Sequence, residues 1–132
     1  MTEIKELNFK DLSLTEQEQS IELIQYLNID TEKVVEILQS EHSVCYLIVR
    51  NKVVIAFCCM DGIILRFIRV HKDYRRDKLC RLLVTYVNLH HKEYMLYTHN
   101  VALLHIYDSQ VIYYNTKSEL TGNQTNRIHY KK

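Results

Sequence analysis

The amino-acid sequence predicts an α/β (α+β) fold on one mixed sheet, and three observations carry the prediction. Three apolar, β-branched runs, Val44–Val49, Val53–Met60 and Ile63–Val70, follow one another with only short polar breaks. The third runs straight into a basic turn that opens an amphipathic helix, IILRFIRVHKDYRRDKLCRLL over residues 63–83. Helical periodicity precedes the strands and returns after them, so helices and strands share one core.

Taken in order, Ile4–Phe9 reads as a first strand. Ser13 caps a helix over Leu14–Leu27, because Glu16 three residues on completes a capping box, and Leu23, Ile24 and Leu27 supply its apolar stripe. A second helix starts at Asp30 or Thr31 and runs to Gln39 with Val34, Val35 and Leu38 facing inward. Arg50–Asn51–Lys52 turns the first two central strands into a hairpin, and Asp61–Gly62 joins the second to the third. A helix over Asp77–Leu89 then buries Leu79, Leu82, Leu83, Tyr86 and Val87. Tyr94–Thr98 reads as a further strand and Asn100–Tyr107 as a short helix. Val111–Asn115 and Arg127–Tyr130 form a last hairpin across the polar loop Lys117–Asn126. The expectation is a sheet of about six to seven strands flanked by about four helices, in a single domain over 1–132.

Composition narrows the function classes. No apolar run approaches the ~20 residues of a membrane span, and the N-terminal MTEIKELNFK lacks the apolar core of a secretory signal, so the expected location is cytoplasmic. Four cysteines, at 45, 58, 59 and 80, form no C-x-x-C pair and read as reduced core thiols. Seven histidines form neither H-E-x-x-H nor a finger spacing with cysteine, so no metal site is expected. Charge is divided along the chain. Residues 1–41 hold ten acids and three bases, whereas 42–132 hold fourteen bases and six acids. Those halves suit each other inside one fold or offer two faces to different partners.

The basic turn is where chemistry is expected. Between Arg66 and Arg81 stand seven Lys or Arg against two Asp. A strand, a positive turn and a helix N-terminus together make a phosphate cradle, since the first N–H groups of a helix lack intrahelical partners and carry partial positive charge. A solvated basic helix start is the plainer reading of this segment alone.

The surroundings of the segment resemble the GNAT superfamily, the GCN5-related N-acetyltransferases. Their acyl-CoA loop follows a strand ending in Val and reads Y-R-G-x-G-x-G/A before a helix bearing L-L. The matching run here is Val70, then Tyr74, Arg75, Arg76, Asp77, Lys78, Leu79, Cys80, then Leu82 and Leu83. A later family motif, N-x-x-A-x-x-L-Y followed by Gly-Phe, is matched by Asn100, Leu103, Ile106 and Tyr107, with Val111 and Ile112 at the Gly-Phe positions. The element order β-α-α-β-β-β-α-β-α-β-β is also that of the family.

The resemblance implies an acetyl-CoA-dependent N-acetyltransferase acting on an amine of a small molecule or a protein. On that basis Phe67, Ile68, Arg69 and Val70 line the pantetheine arm, while Arg75, Arg76, Asp77, Lys78, Leu79, Cys80 and Arg81 hold the pyrophosphate. Asn100 orders the strand-to-helix turn, and Tyr107 is the general acid that protonates the departing thiolate. Two departures stand out. Lys78 occupies a glycine position, where its side chain either fills the space of the phosphate or swings out and adds charge. The fourth strand offers Arg66 and Arg69 but no carboxylate base, while Asp61, Glu41, His42 and His71 lie outside it. The same departures fit an alternative, a catalytically degenerate GNAT-like module for binding or regulation through a protein partner or a homodimer. Nucleic acid is disfavoured, because net charge is +1 and no recognition motif is present.

Overall fold

The computed structural model describes residues 2–25, 30–98, 103, 106–107, 112–117 and 124–131, with 112–117 and 124–126 described as backbone. Among the described residues seven strands make one mixed sheet: β1 (Thr2–Leu7), β2 (Ser43–Arg50), β3 (Val53–Asp61), β4 (Ile64–Val70), β5 (Glu93–Thr98), β6 (Ile112–Lys117) and β7 (Gln124–Lys131). Their order is β1-β2-β3-β4-β5-β7-β6, so β7 inserts between β5 and β6. Only β4 and β5 run parallel; every other neighbouring pair is antiparallel. Helices α1 (Leu14–Ile24), α2 (Thr31–Leu38) and α3 (Leu79–His90) pack on this sheet. Among the described residues no helix is long and apolar enough to cross a membrane.

Local chemistry accounts for the element ends. The Ser13 hydroxyl accepts from the Glu16 N–H at 3.1 Å while the Glu16 carboxylate accepts from the Ser13 N–H at 3.1 Å, which is the capping box expected at α1. Asp30 caps α2 by accepting from the Glu32 N–H at 3.0 Å. Asn51 and Lys52 both take positive φ, 51° and 65°, which matches the twist of the β2–β3 hairpin. Gly62, at φ 61°, closes the turn between β3 and β4, a backbone region where a side chain is strained.

Alternation along the strands builds two cores. Cys45, Leu47, Phe57, Cys59 and Phe67 face α1 and α2, joined by Leu23, Ile24, Val34 and Leu38. Tyr46, Ile48, Ile55, Met60, Leu65 and Leu96 face α3, joined by Leu79, Leu83, Val84 and Val87. β3 is buried from Val54 to Met60 because both faces of the sheet are covered there.

Several expected boundaries shift. The first strand ends at Leu7 rather than Phe9, whose ring instead enters the α1–α2 core from a short 3-10 turn over Phe9–Asp11. The basic turn is a 3-10 helix over Lys72–Asp77, so α3 begins at Leu79, two residues later than expected. Leu82 is 41% exposed, and Val84 takes its place in the core. Tyr86 is half-buried, and so is Val35 on α2. The last strand is longer than Arg127–Tyr130 because β7 pairs along its length with β5 on one side and β6 on the other. Leu27, Val111 and most of the expected helix Asn100–Tyr107 lie outside the described residues, although Leu103 is helical.

Candidate functional site

The site is made where β4 leaves β5. Pairing between these parallel strands is confined to Ile64 with Met95 and Leu65 with Leu96. Beyond that point β4 follows β3 to its end, with Ala56 opposite Val70, while β5 stays with β7, with Thr98 opposite Asn126. A cause lies in the β3–β4 register. Cys59 pairs with Phe67 and Met60 with Leu65, so Arg66 is an extra residue in β4. Such a bulge bends its strand and increases the local twist. It sits directly after the last β4–β5 pair, and Arg66–Val70 therefore present an edge that β5 does not cover.

Side chains along this edge point alternately to the two cores. The Phe67 ring is buried on the α1–α2 side, and Arg69 Nε donates to the Leu23 carbonyl at the end of α1 at 3.2 Å. Ile68 and Val70, both half-buried, lean towards the α3 side. Of the four residues expected to line the cofactor arm, Ile68 and Val70 offer side chains to the α3 side, whereas Phe67 and Arg69 offer backbone alone.

At the open end of the gap the chain enters the 3-10 turn and then α3. Lys78 joins them with φ 58° and ψ 31°, the left-handed conformation that glycine adopts freely and that costs another residue about 1–2 kcal/mol. The side chain of Lys78 is exposed. Lysine thus takes up the glycine conformation at the glycine position and turns its ammonium outward. The Lys78 side chain does not cap α3, whose first backbone bond runs from the Leu82 N–H to the Lys78 carbonyl at 3.1 Å. The N–H groups of Leu79, Cys80 and Arg81 precede that bond and have no intrahelical acceptor. Arg75, Arg76 and Arg81 are exposed around them, and Arg75 Nε reaches the Val70 carbonyl at 3.4 Å. Asp77, the acid in the middle of this cationic run, is tied to Arg50 at 3.5 Å. Cys80 is half-buried, and burial pushes its thiol up to about 11.

Tyr107 lies in the α3-side core with Leu65, Leu79 and Leu83, and Cys80 packs against the same cluster. It is 7% exposed. Its hydroxyl is 2.9 Å from that of Tyr94 on β5, and the Tyr94 hydroxyl donates to Asn88 Oδ1 on α3 at 2.5 Å. Because the one Tyr94 proton goes to Asn88, Tyr107 is the donor of the tyrosine pair. Burial raises both phenols above their ordinary range, so each holds its proton at neutral pH. Tyr130 completes the aromatic cluster, with its ring centroid 5.0 Å from Tyr94 and 6.1 Å from Tyr107. Asn100 lies outside the described residues.

Asp61, the carboxylate that ends β3 beside β4, is engaged. It accepts from the Ser40 hydroxyl at 3.1 Å and lies 3.7 Å from Arg66 Nε, at the closed end of the gap. His71 uses Nδ1 to accept from the Asp73 N–H at 3.1 Å. Three residues of the site are given no site role by the sequence: Arg50, Tyr94 and Asn88. Asn88 carried a signal, being a polar residue one position after Val87 on an apolar helix. Arg50 carried none, because its partner Asp77 is 27 residues away.

No family model matches the sequence, and no curated protein matches it. Solved structures do match, over nearly the whole chain. An acyl-CoA N-acyltransferase from Pseudomonas aeruginosa superposes with a TM-score of 0.80 at 9% identity, covering 98% of this chain and 99% of that one. Tetrahymena GCN5 gives 0.72 at 13% identity, covering 96% and 95%. The PaiA N-acetyltransferase of Thermoplasma acidophilum, in complex with coenzyme A, gives 0.69 at 18% identity, covering 100% and 99%. The chain therefore has the fold of the GCN5-related N-acetyltransferases.

Proposed function

We propose that the protein is an acyl-CoA-dependent N-acyltransferase that moves an acetyl group from acetyl-CoA to an amine. The observation that carries this reading is the parting of β4 from β5 at the Arg66 bulge, with a helix start that Lys78 leaves uncapped at its open end. An uncovered strand edge accepts an amide-bearing arm as a further strand would. N–H groups without intrahelical acceptors at a helix start, ringed by Arg75, Arg76 and Arg81, suit a diphosphate. The left-handed backbone at Lys78 keeps the approach that glycine otherwise provides, so the residues present fit the cofactor.

When bound, acetyl-CoA supplies an acyl group activated as a thioester. The edge Phe67–Val70 holds the arm, and the start of α3 holds the diphosphate. Tyr107 turns its hydroxyl from Tyr94 to the departing sulfur and gives it a proton, while Tyr94 stays fixed by Asn88. As the carbon–nitrogen bond forms and the carbon–sulfur bond breaks, the amine nitrogen loses the proton that restores Tyr107. A phenol serves this exchange because it stays protonated until negative charge builds on the sulfur and, once ionised, takes a proton back readily.

One observation favours a second reading. The Tyr107 hydroxyl is committed to Tyr94 inside the core, an arrangement that also serves packing alone. On that reading the protein is a catalytically degenerate module that binds a protein partner. Thermal melting with and without millimolar acetyl-CoA separates the two, with Tyr107→Phe alongside. The enzyme reading expects an upward shift in both proteins and loss of turnover in the variant. No shift in either ends it, and turnover retained in the variant removes Tyr107 as the acid.

A further inference from the structure

The turn that presents the start of α3 contains no glycine: the chain has two, and the segment from Ile63 to Leu103 has none. It nevertheless ends in a left-handed residue, Lys78. Something must hold that conformation against the preference of the chain. Arg50, the last residue of β2, is placed to do so. Its Nε donates to the Thr2 hydroxyl at 3.0 Å, which anchors the side chain to β1. Its NH1 lies 3.5 Å from Asp77 Oδ2, on the residue directly before Lys78. Its guanidinium carbon lies 5.5 Å from the centroid of the Tyr74 ring. The ring of His71 meets Tyr74 edge-on at 5.6 Å, and His71 Nδ1 accepts from the Asp73 N–H. One arginine thus fastens the first strand pair to the middle and the end of the 3-10 turn.

We propose that Arg50 is a positioning residue for the anion-holding loop, one that enforces the left-handed backbone at Lys78 in place of the missing glycine and so presents the N–H groups of residues 79–81. The inference rests on the acyl-CoA reading for what the loop holds, but not for how it is held. Arg50 need not touch the ligand. It acts through Asp77 and Tyr74, and it does so as a planar fork and a stacking surface, which lysine lacks. A mere contribution of positive charge and an enforced geometry therefore make different predictions.

The experiment measures affinity for CoA by calorimetry in Arg50→Gln, Arg50→Lys, Lys78→Gly and the double variant Arg50→Gln/Lys78→Gly. Hydrogen exchange of the Leu82 amide, whose 3.1 Å bond to the Lys78 carbonyl closes the first turn of α3, is followed in the same proteins without ligand. Positioning predicts that Arg50→Gln and Arg50→Lys both weaken CoA binding by about tenfold, the scale of one lost charged contact. In the Lys78→Gly background the effect of Arg50→Gln shrinks to about twofold, because the left-handed conformation no longer needs enforcing. Exchange at Leu82 rises in both Arg50 variants. Binding by Arg50→Lys equal to the parent overturns the proposal in favour of simple charge, and strict additivity of the two sites overturns it too. If no protein in the set binds CoA, the acyl-CoA reading fails by itself. The exchange data then decide on Arg50: an unchanged rate at Leu82 overturns its role, and a faster rate upholds it.

Discussion

Replacing Tyr94 and Tyr107 by phenylalanine, singly and together, tests the hydrogen-bond direction on which the chemical role of Tyr107 depends. The chain runs from Tyr107 to Tyr94 to Asn88, across 2.9 and 2.5 Å, with both rings buried. Tyr107→Phe deletes the first donor and leaves the Tyr94–Asn88 bond intact, so it should cost about 1 kcal/mol, the net value of one hydrogen bond. Tyr94→Phe removes the central link. It takes a partner from Asn88 and strands the Tyr107 hydroxyl in the core, and a stranded buried group raises the cost to about 2–3 kcal/mol. In the double variant no Tyr107 hydroxyl remains to be stranded, so its cost should fall short of the sum by about 1 kcal/mol. Urea unfolding followed by far-UV circular dichroism reads these differences, provided the slope is unchanged. At this length each kcal/mol corresponds to roughly 3–5 °C in Tm. A greater cost for Tyr107→Phe than for Tyr94→Phe refutes the assigned direction, and a sum without coupling refutes the link itself.

Two further predictions concern ionisable groups. The Lys5 ammonium, 2.8 Å away, and the capping contacts of Ser13 hold Glu16 below its usual 4.5. A carboxyl depressed in the folded state stabilises above its unfolded value, so this contribution is complete above 4.5 and is lost as pH falls through the folded value. Lys5→Met should flatten the acid limb of a stability-against-pH curve below 4.5 and leave its slope at neutral pH unchanged; an unaltered acid limb contradicts the pairing. The Cys80 thiol, pushed up from 9.0 to about 11 by burial, should react with a disulfide reagent at pH 8 roughly tenfold more slowly than a free cysteine, the smaller thiolate fraction being partly offset by the greater nucleophilicity of the more basic thiolate. Reaction at the free rate would mean that the start of α3 is open to solvent.

What the sequence reveals and hides follows the range of the interactions. The capping box at Ser13–Glu16 and the turn at Asp61–Gly62 act between near neighbours, and both are found where the residues place them. The phase of α3 differs from the expected one at Leu82 and Val84, which flank Leu83 on either side of the buried stripe. Which of the two turns inward is set by the tilt of the helix on the sheet, and sequence spacing does not encode tilt. The insertion of β7 between β5 and β6 joins segments about thirty residues apart and leaves no local trace. The bulge at Arg66 leaves none either: Leu65 and Phe67, two residues apart, face opposite cores, and because both faces are covered an apolar residue suits either one. At Lys78 the resemblance pointed to a glycine position, whereas side-chain propensity gave no hint of a left-handed lysine. Its support, Arg50, comes from another strand.

The central claim is that the uncovered edge of β4 and the start of α3 together hold acyl-CoA. The most direct measurement is a titration of isotope-labelled protein with acetyl-CoA, following backbone amide resonances. The account predicts saturable shifts concentrated at Phe67–Val70 and Leu79–Arg81, with β1 and α2 unmoved. Shifts absent at millimolar ligand, or scattered over exposed lysines without saturation, would contradict it.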